Sequence, residues 1–284
     1  MTQPGAPVGR LVVCPTPIGN LDDVTLRVLS TLAAADLVAC EDTRRTGRLL
    51  ERHGIRRPLV SYHEHNEAAR ARELAARIAE GQLVALVSDA GMPLVADPGH
   101  VLVQTCIREG LALEVLPGPS AVVTALVASG LPAARWRFVG FLPRRRTERE
   151  QLLAGSGEVV VAFESPQRLP STLELLAGRE PGRTLAVCRE LSKLHEEVSR
   201  GTAAELSERF GRDAPKGEIV LVCAPAERPA DAGREEAVAA LRELVDAGAR
   251  PRAAAGALAR VTGMSANALY RALTNEGRDG RRPG

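Results

Sequence analysis

Short, mostly apolar runs recur through the first half of the chain, at Leu11–Cys14, Asp36–Cys40, Leu59–Tyr62, Leu83–Val87 and Leu113–Leu116, and each stops abruptly at a Gly/Pro-rich or charged turn. Apolar runs of this length without alternation suit strands buried on both faces. Between them the pattern takes a helical period over Val24–Ala35, in the Arg/Glu/Ala-rich segment ending at Glu80, over His100–Glu109 and over Val122–Ala128. Asp22 or Asp23 stands where the first of these helices needs a cap. Strands alternating with helices predict a mainly parallel sheet with right-handed crossovers.

The pattern restarts at Phe138–Pro143, and Val159–Phe163, Thr184–Cys188 and Glu218–Cys223 read as strands with polar residues at one end. They predict a second α/β domain. Residues 226–233 have the composition of a linker, and helices follow over Arg234–Ala247, Pro251–Val261 and Ala266–Leu273. The last two flank a turn at Gly263–Asn267 and resemble a helix-turn-helix, which either reads nucleic acid or serves as a small packing module. The expected division is therefore 10–119, 120–226 and a helical module over 233–276, with a frayed tail at 277–284.

Composition narrows the class. A chain of 284 residues with 45% hydrophobic and 25% charged residues has an ample core and room for two domains. No apolar run reaches the roughly 18 residues of a membrane span, and the N-terminal segment lacks the basic-then-apolar pattern of a secretory signal, so no membrane partner and a cytoplasmic location are expected. The five cysteines include no closely spaced pair and sit mostly in apolar stretches, which predicts buried thiols rather than disulfides or a metal site. A net charge of +2 does not demand a nucleic-acid partner. The basic residues are nearly all arginine, however, and they gather at Arg44, Arg45 and Arg48 and again at Arg144, Arg145, Arg146 and Arg149, groups that are either solvated faces or phosphate contacts.

The turns carry the candidate chemistry. The loop after Cys14 holds a glycine, but neither G-x-G-x-x-G nor G-x-x-x-x-G-K-[ST] occurs, which disfavours nicotinamide redox chemistry and P-loop hydrolysis. Val84–Gly99 joins a buried strand to two acidic Gly/Pro turns, as a structural loop or a ligand loop would, and open α/β sheets bind ligands beyond the carboxyl ends of their strands. Glu41 and Asp42 follow another strand, placed for a ligand or for the positive end of a helix dipole. His63 and His65 lack the H-E-x-x-H spacing of zinc sites, which leaves substrate contact or helix capping.

Taken together, Pro15-Thr16-Pro17-Ile18-Gly19-Asn20-Leu21-Asp22-Asp23, Glu41-Asp42-Thr43-Arg44, Ser88-Asp89-Ala90-Gly91-Met92-Pro93 with Asp97-Pro98-Gly99, and Pro117-Gly118-Pro119-Ser120-Ala121 resemble the ribosomal RNA small subunit methyltransferase I group of the tetrapyrrole (corrin/porphyrin) methylase superfamily. The resemblance continues through Phe138–Pro143, Phe163–Arg168, Arg189–Lys193 and Lys216–Glu218, with Met92 and Ser192 standing where threonine is common. It implies two α/β domains with S-adenosyl-L-methionine (AdoMet) in the cleft between them, 2'-O-methylation of a cytidine ribose in the decoding region of 16S rRNA or the small ribosomal subunit, and a homodimer. The cofactor-binding residues it implies are Pro17, Ile18, Gly19, Asn20, Ser88, Asp89, Gly91, Met92, Pro93, Ser120, Ala121, Phe163 and Glu164. Phe163 would cover the adenine or pack as core, and Asp89 would bind the cofactor or cap a helix.

Methyl transfer to a hydroxyl also needs a proton acceptor, for which Glu41 and Asp42 rank ahead of Asp89 and His63. RNA would be held by Arg44, Arg45, His63, Arg144, Arg145, Arg146, Arg189 and Lys193, unless Arg44 serves as an ion-pair partner of Glu41 or Asp42. A tetrapyrrole or other small-molecule methyltransferase of the same fold is the alternative.

Overall fold

The computed structural model describes residues 9–154, 157–211, 214–226 and 232–279. The expectations for the extreme N-terminus, for linker residues 227–231 and for tail residues 280–284 lie outside the described residues. Two compact units divide the chain, Met1–Pro225 and Ala226–Gly284.

The first unit opens with β1 (Arg10–Cys14), α1 (Leu26–Ala34), β2 (Leu37–Cys40), α2 (Thr43–Arg52), β3 (Leu59–Ser61), α3 (Glu67–Ala79), β4 (Leu83–Val87), α4 (His100–Arg108) and β5 (Ala112–Val115). The five strands form one sheet in the order β3-β2-β4-β1-β5, and every pairing is parallel. Alternation along β1 fills both faces: Leu11 and Val13 join the cluster containing Leu74, Ile78 and Leu102, while Val12 and Cys14 join Val28, Leu32 and Leu50. This is why the strands read as continuous apolar runs.

The helix after β1 begins later than its polar residues suggested. Thr25 caps α1 through its hydroxyl, while Asp22 and Asp23 lie in a preceding 3-10 turn capped by Asn20. Asp22 is drawn away from capping by an ion pair with Arg52 at 2.7 Å.

The same unit continues with α5 (Ala121–Ser129), β6 (Trp136–Phe141), α6 (Arg146–Leu153), β7 (Val159–Glu164), α7 (Leu169–Arg179), β8 (Thr184–Arg189), β9 (Glu197–Thr202), α8 (Ala203–Phe210) and β10 (Ile219–Cys223). The second sheet, in the order β6-β7-β10-β8-β9, is mixed: β6 runs parallel to β7, and β10 lies antiparallel between β7 and β8. Ile18 and Val95 from the first half pack with α5 and this sheet in one cluster. All five cysteines are buried and free.

The second unit contains α9 (Ala232–Asp246), α10 (Pro251–Thr262) and α11 (Ala266–Asp279), which runs beyond its expected end at Leu273. Ala237, Val238, Leu241, Ala254, Ala255 and Leu269 form its core, and Gly263 ends α10 in the left-handed conformation. Among the described residues no helix is long and apolar enough to cross a membrane.

Candidate active site

The chain leaves β1 toward β2 on one side and β4 toward β5 on the other, so β1 and β4 flank the switch point of the sheet, where open α/β folds hold ligands. The loops that follow them are stitched together. Thr16 and Gly91 exchange backbone hydrogen bonds of 2.9 Å, the Thr16 hydroxyl donates to the Ser88 carbonyl at 2.9 Å, and the Ser88 hydroxyl donates to the Gly91 carbonyl at 3.1 Å. Gly91 has φ 83°, and an added Cβ would lie 3.3 Å from Ile18.

Two cavities open here. One, of about 360 Å³, is lined by Thr16, Pro17, Ile18, Gly19, Arg45, Thr46, Arg48, Ser88, Asp89 and Lys193 among others. The other, of about 370 Å³, is more apolar, with Val95, Ala121, Phe141, Phe163, Ile219 and Val220 beside Asp97, Glu164 and Gly217. Ile18, Arg45, Asp89, Ala90 and Glu218 line both, so the cavities meet at these residues.

Asp89 does not cap the helix that follows it. Its carboxylate accepts the Asp42 backbone N–H at 2.9 Å and lies 3.6 Å from the Arg45 guanidinium, fixing the start of α2 against the end of β4. Asp42 caps α2 by accepting the Arg44 N–H at 2.8 Å, and the Arg44 guanidinium binds the same carboxylate at 2.9 Å. These contacts with Arg44 hold the Asp42 pKa down at about 2, which unsuits it as a proton acceptor near neutral pH. Arg44 is thus the ion-pair partner, with its side chain otherwise in solvent. Glu41 lines neither cavity; burial, then Asp89 and Glu64, push its pKa upward.

Phe163 packs as core and also borders a cavity. Its ring lies 5.0 Å from Phe138 and 5.2 Å from Phe141, packs against the second sheet's core and forms part of the apolar cavity wall. The Glu164 side chain is fully enclosed and bound by its own loop, so it meets the cavity through backbone. Among the other expected cofactor residues, Asn20 caps its turn, Gly91 pairs with Thr16, Met92 packs under β4, Pro93 is buried, and Ser120 precedes α5; these five line neither cavity.

The expected RNA residues separate. Arg45 and Lys193 reach the polar cavity, Lys193 bridging Glu190 at 2.9 Å and Glu218 at 3.1 Å. Arg189 pairs with Glu197 at 3.0 Å within the second sheet, and His63 is tied to Asn66 through its backbone N–H. Arg144, Arg145 and Arg146 are exposed beyond both cavities, with Arg145 and Arg146 facing Glu148 and Glu150 on α6. Arg48, named only as part of a cluster, makes no ion pair among the described residues and lines the polar cavity one helical turn beyond Arg45.

A two-lobed α/β fold with its cavities at the switch point defines a methylase of the tetrapyrrole class, and the model for Tetrapyrrole (Corrin/Porphyrin) Methylases matches residues 10–207. A uroporphyrin-III-C-methyltransferase from Thermus thermophilus shares the fold, with a TM-score of 0.57 at 24% identity over 75% of this chain and 94% of that one. Ribosomal RNA small subunit methyltransferase I of Thermotoga maritima is 45% identical over 76% of this chain and 98% of its own. The protein of that name from Mesorhizobium japonicum is 46% identical over 93% and 90% respectively. The chain belongs to the ribosomal RNA small subunit methyltransferase I family.

Proposed function

We propose that the protein transfers the methyl group of AdoMet to the 2'-hydroxyl of a cytidine in 16S rRNA, and that the two cavities divide the work. The observation that carries this is their contrast: an apolar chamber walled by Phe163, Val95, Ala121, Ile219 and Val220 adjoins a polar one bearing Arg45 and Arg48. The first suits a nucleoside base. The carboxylates where the two chambers meet, Asp89 and Glu218, suit a ligand carrying positive charge, as a sulfonium with an α-amino group does. When bound, AdoMet supplies an electrophilic methyl carbon to an in-line acceptor.

The chain's own contribution is positioning. Ile18, packed into the cluster shared by both halves, and the hydrogen-bonded pair Thr16 and Gly91 keep the chambers aligned. Arg45 and Arg48 lie on one face of α2 and offer forked donors to backbone phosphate. We place the reaction in the cytoplasm and assign a homodimer; the exposed Val123 and Val127, one turn apart on α5, support pairing of two copies, which sedimentation of the pure protein tests.

Labelled AdoMet with 30S subunits or naked 16S rRNA from cells lacking the modification tests the reaction. The expected product is one nucleotide resistant to alkaline cleavage; label appearing only in a tetrapyrrole overturns the reading. Arg48→Ala should weaken RNA binding uniformly across sequences and reduce the salt slope by about 0.7 to 0.9 per lost phosphate contact. An unchanged slope would take Arg48 off the RNA path.

A further inference from the structure

We infer that Asp97 is the residue that accepts the proton of the attacking hydroxyl, an assignment that rests on the methyltransferase reading above. Asp97 is partly buried in the wall of the apolar cavity and interacts with Asp89 and Glu218, the acidic residues common to both cavities. It thus stands in the wall of the apolar chamber, which shares Asp89 and Glu218 with the polar one.

The other carboxylates in these walls are committed. Asp89 holds the Asp42 N–H and Arg45, Glu164 is bound to Arg168 at 2.6 Å, and Glu218 is paired with Lys193 at 3.1 Å. Among the described residues Asp97 forms no ion pair. An acceptor already paired with a cation has little basicity left to offer, and Asp97 keeps its own.

The loop that carries Asp97 is held in place at some cost. Leu94 and Ala96 adopt left-handed conformations, with φ 71° and 64°, which non-glycine residues rarely sustain without support from their surroundings. Just beyond Asp97 the chain is anchored by Glu67, whose carboxylate accepts the backbone N–H groups of Gly99 and Val101 at 3.0 Å while the buried Tyr62 hydroxyl donates to it at 3.1 Å. Strain in Leu94 and Ala96, just before Asp97, and anchoring just after it hold this stretch of the cavity wall in one backbone course.

Burial, reinforced by Glu41 from the end of β2, Asp89 from the end of β4 and Glu218 ahead of β10, pushes the Asp97 pKa up to about 6, against a smaller opposing contribution from the Ser88 hydroxyl. Arg45 on α2 lines the same cavity, as does Glu164 with its charge met by Arg168. A carboxylate tuned to this range is ionised at neutral pH and more basic than an ordinary aspartate. In the step itself the ribose oxygen bonds to the methyl carbon, and the carbon–sulfur bond breaks with its electron pair remaining on sulfur. The hydroxyl proton ends on Asp97.

The full-length protein and its Asp97→Asn and Asp97→Glu variants should be compared in single-turnover methylation of 30S subunits from pH 5 to 9, alongside AdoMet and RNA dissociation constants and thermal melts without ligand. In the wild type the rate is expected to rise through about pH 6 to a plateau. Asp97→Asn should lose about 10²- to 10⁴-fold in rate and the inflection with it, while both dissociation constants stay within about threefold; Asp97→Glu should recover part of the rate.

The melts provide a readout independent of turnover. Because the folded pKa lies above the unfolded one, the fold favours protonated Asp97, and its stabilising contribution disappears as pH rises from about 4 to about 6. Asp97→Asn should thus melt higher than the wild type at pH 8 and alike at pH 4. A variant rate within threefold of wild type with the inflection intact overturns the proposal alone, as does loss of AdoMet binding in step with rate. A wild type inert on rRNA at every pH overturns the methyltransferase reading and this role together.

Discussion

Gly19→Ala is expected to lower the stability of the first unit by about 2 kcal/mol and to weaken AdoMet binding by more than tenfold. An added Cβ would lie 2.5 Å from the Lys193 side chain and 2.9 Å from both the Leu191 carbonyl oxygen and the Ser192 carbonyl carbon. Two of these three neighbours are backbone, so a rotamer change cannot clear them. Nor can the loop readily withdraw: Glu190 and Ser192 already have φ 52° and 66°, Lys193 is bound to Glu190 and Glu218, and the Ser192 hydroxyl is bound to Asp23. The contact joins the loop after β1 to the loop after β8, and its neighbour Ile18 lines both cavities, so the displacement reaches the cofactor chamber directly. At this size a loss of about 2 kcal/mol should appear as a fall of roughly 4 to 8 °C in Tm. Gly178→Ala is the matched control, because nothing lies within 4 Å of its Cβ position on the exposed side of α7. It should be neutral or stabilising by about 0.5 kcal/mol. Equal Tm values for Gly19→Ala and wild type would show that this contact yields.

The three central strands of the first sheet, β1, β2 and β4, were readable because burial on both faces erases alternation, and the loops after β1 and β4 were readable because Gly and Pro mark turns. The second sheet was less so. Direction is not written in a strand's composition, and β10 lies between β7 and β8 through pairings far apart in the chain. β9, Glu-Val-Ser-Arg-Gly-Thr, escaped because an edge strand with polar positions lacks the apolar run that identified its neighbours.

The first arginine group was less legible for a different reason. Adjacency grouped Arg44 with Arg45, but consecutive helical residues point about 100° apart. Arg44 turns back to Asp42, Arg45 turns to Asp89, and Arg48, three residues on, shares the face of Arg45. Helical period, not proximity in the chain, was the informative quantity. Asp97 read as punctuation before Pro98-Gly99 because the residues that set its environment, Glu41 and Glu218, arrive from strands whose neighbourhood only the fold creates.

Glu164→Ala should be the most destabilising single change in the second sheet's connections, costing about 3 to 5 kcal/mol, without removing a direct cofactor contact. The Glu164 side chain has 0% exposure and all its bonds are internal. One oxygen accepts the Ser165 N–H at 2.7 Å and the Arg168 guanidinium at 2.6 Å, and the other accepts the buried Thr172 hydroxyl at 2.7 Å. The carboxylate therefore ties the end of β7 to the first turns of α7. Truncation strands the Thr172 hydroxyl and leaves Arg168 with only the Ser165 hydroxyl at 3.1 Å and the Leu142 carbonyl at 2.9 Å. Arg168→Met should restore part of the loss when added to Glu164→Ala, since a guanidinium without its counter-ion is then no longer buried, and the double variant should be more stable than the sum of the single effects predicts. Glu164→Gln separates the two roles open to this residue. It preserves volume and one acceptor, so a moderate fall in Tm with an unchanged AdoMet dissociation constant supports a structural carboxylate. A tenfold weaker cofactor at unchanged Tm would instead return Glu164 to the binding surface, and would require the side chain to leave Thr172 when AdoMet is bound.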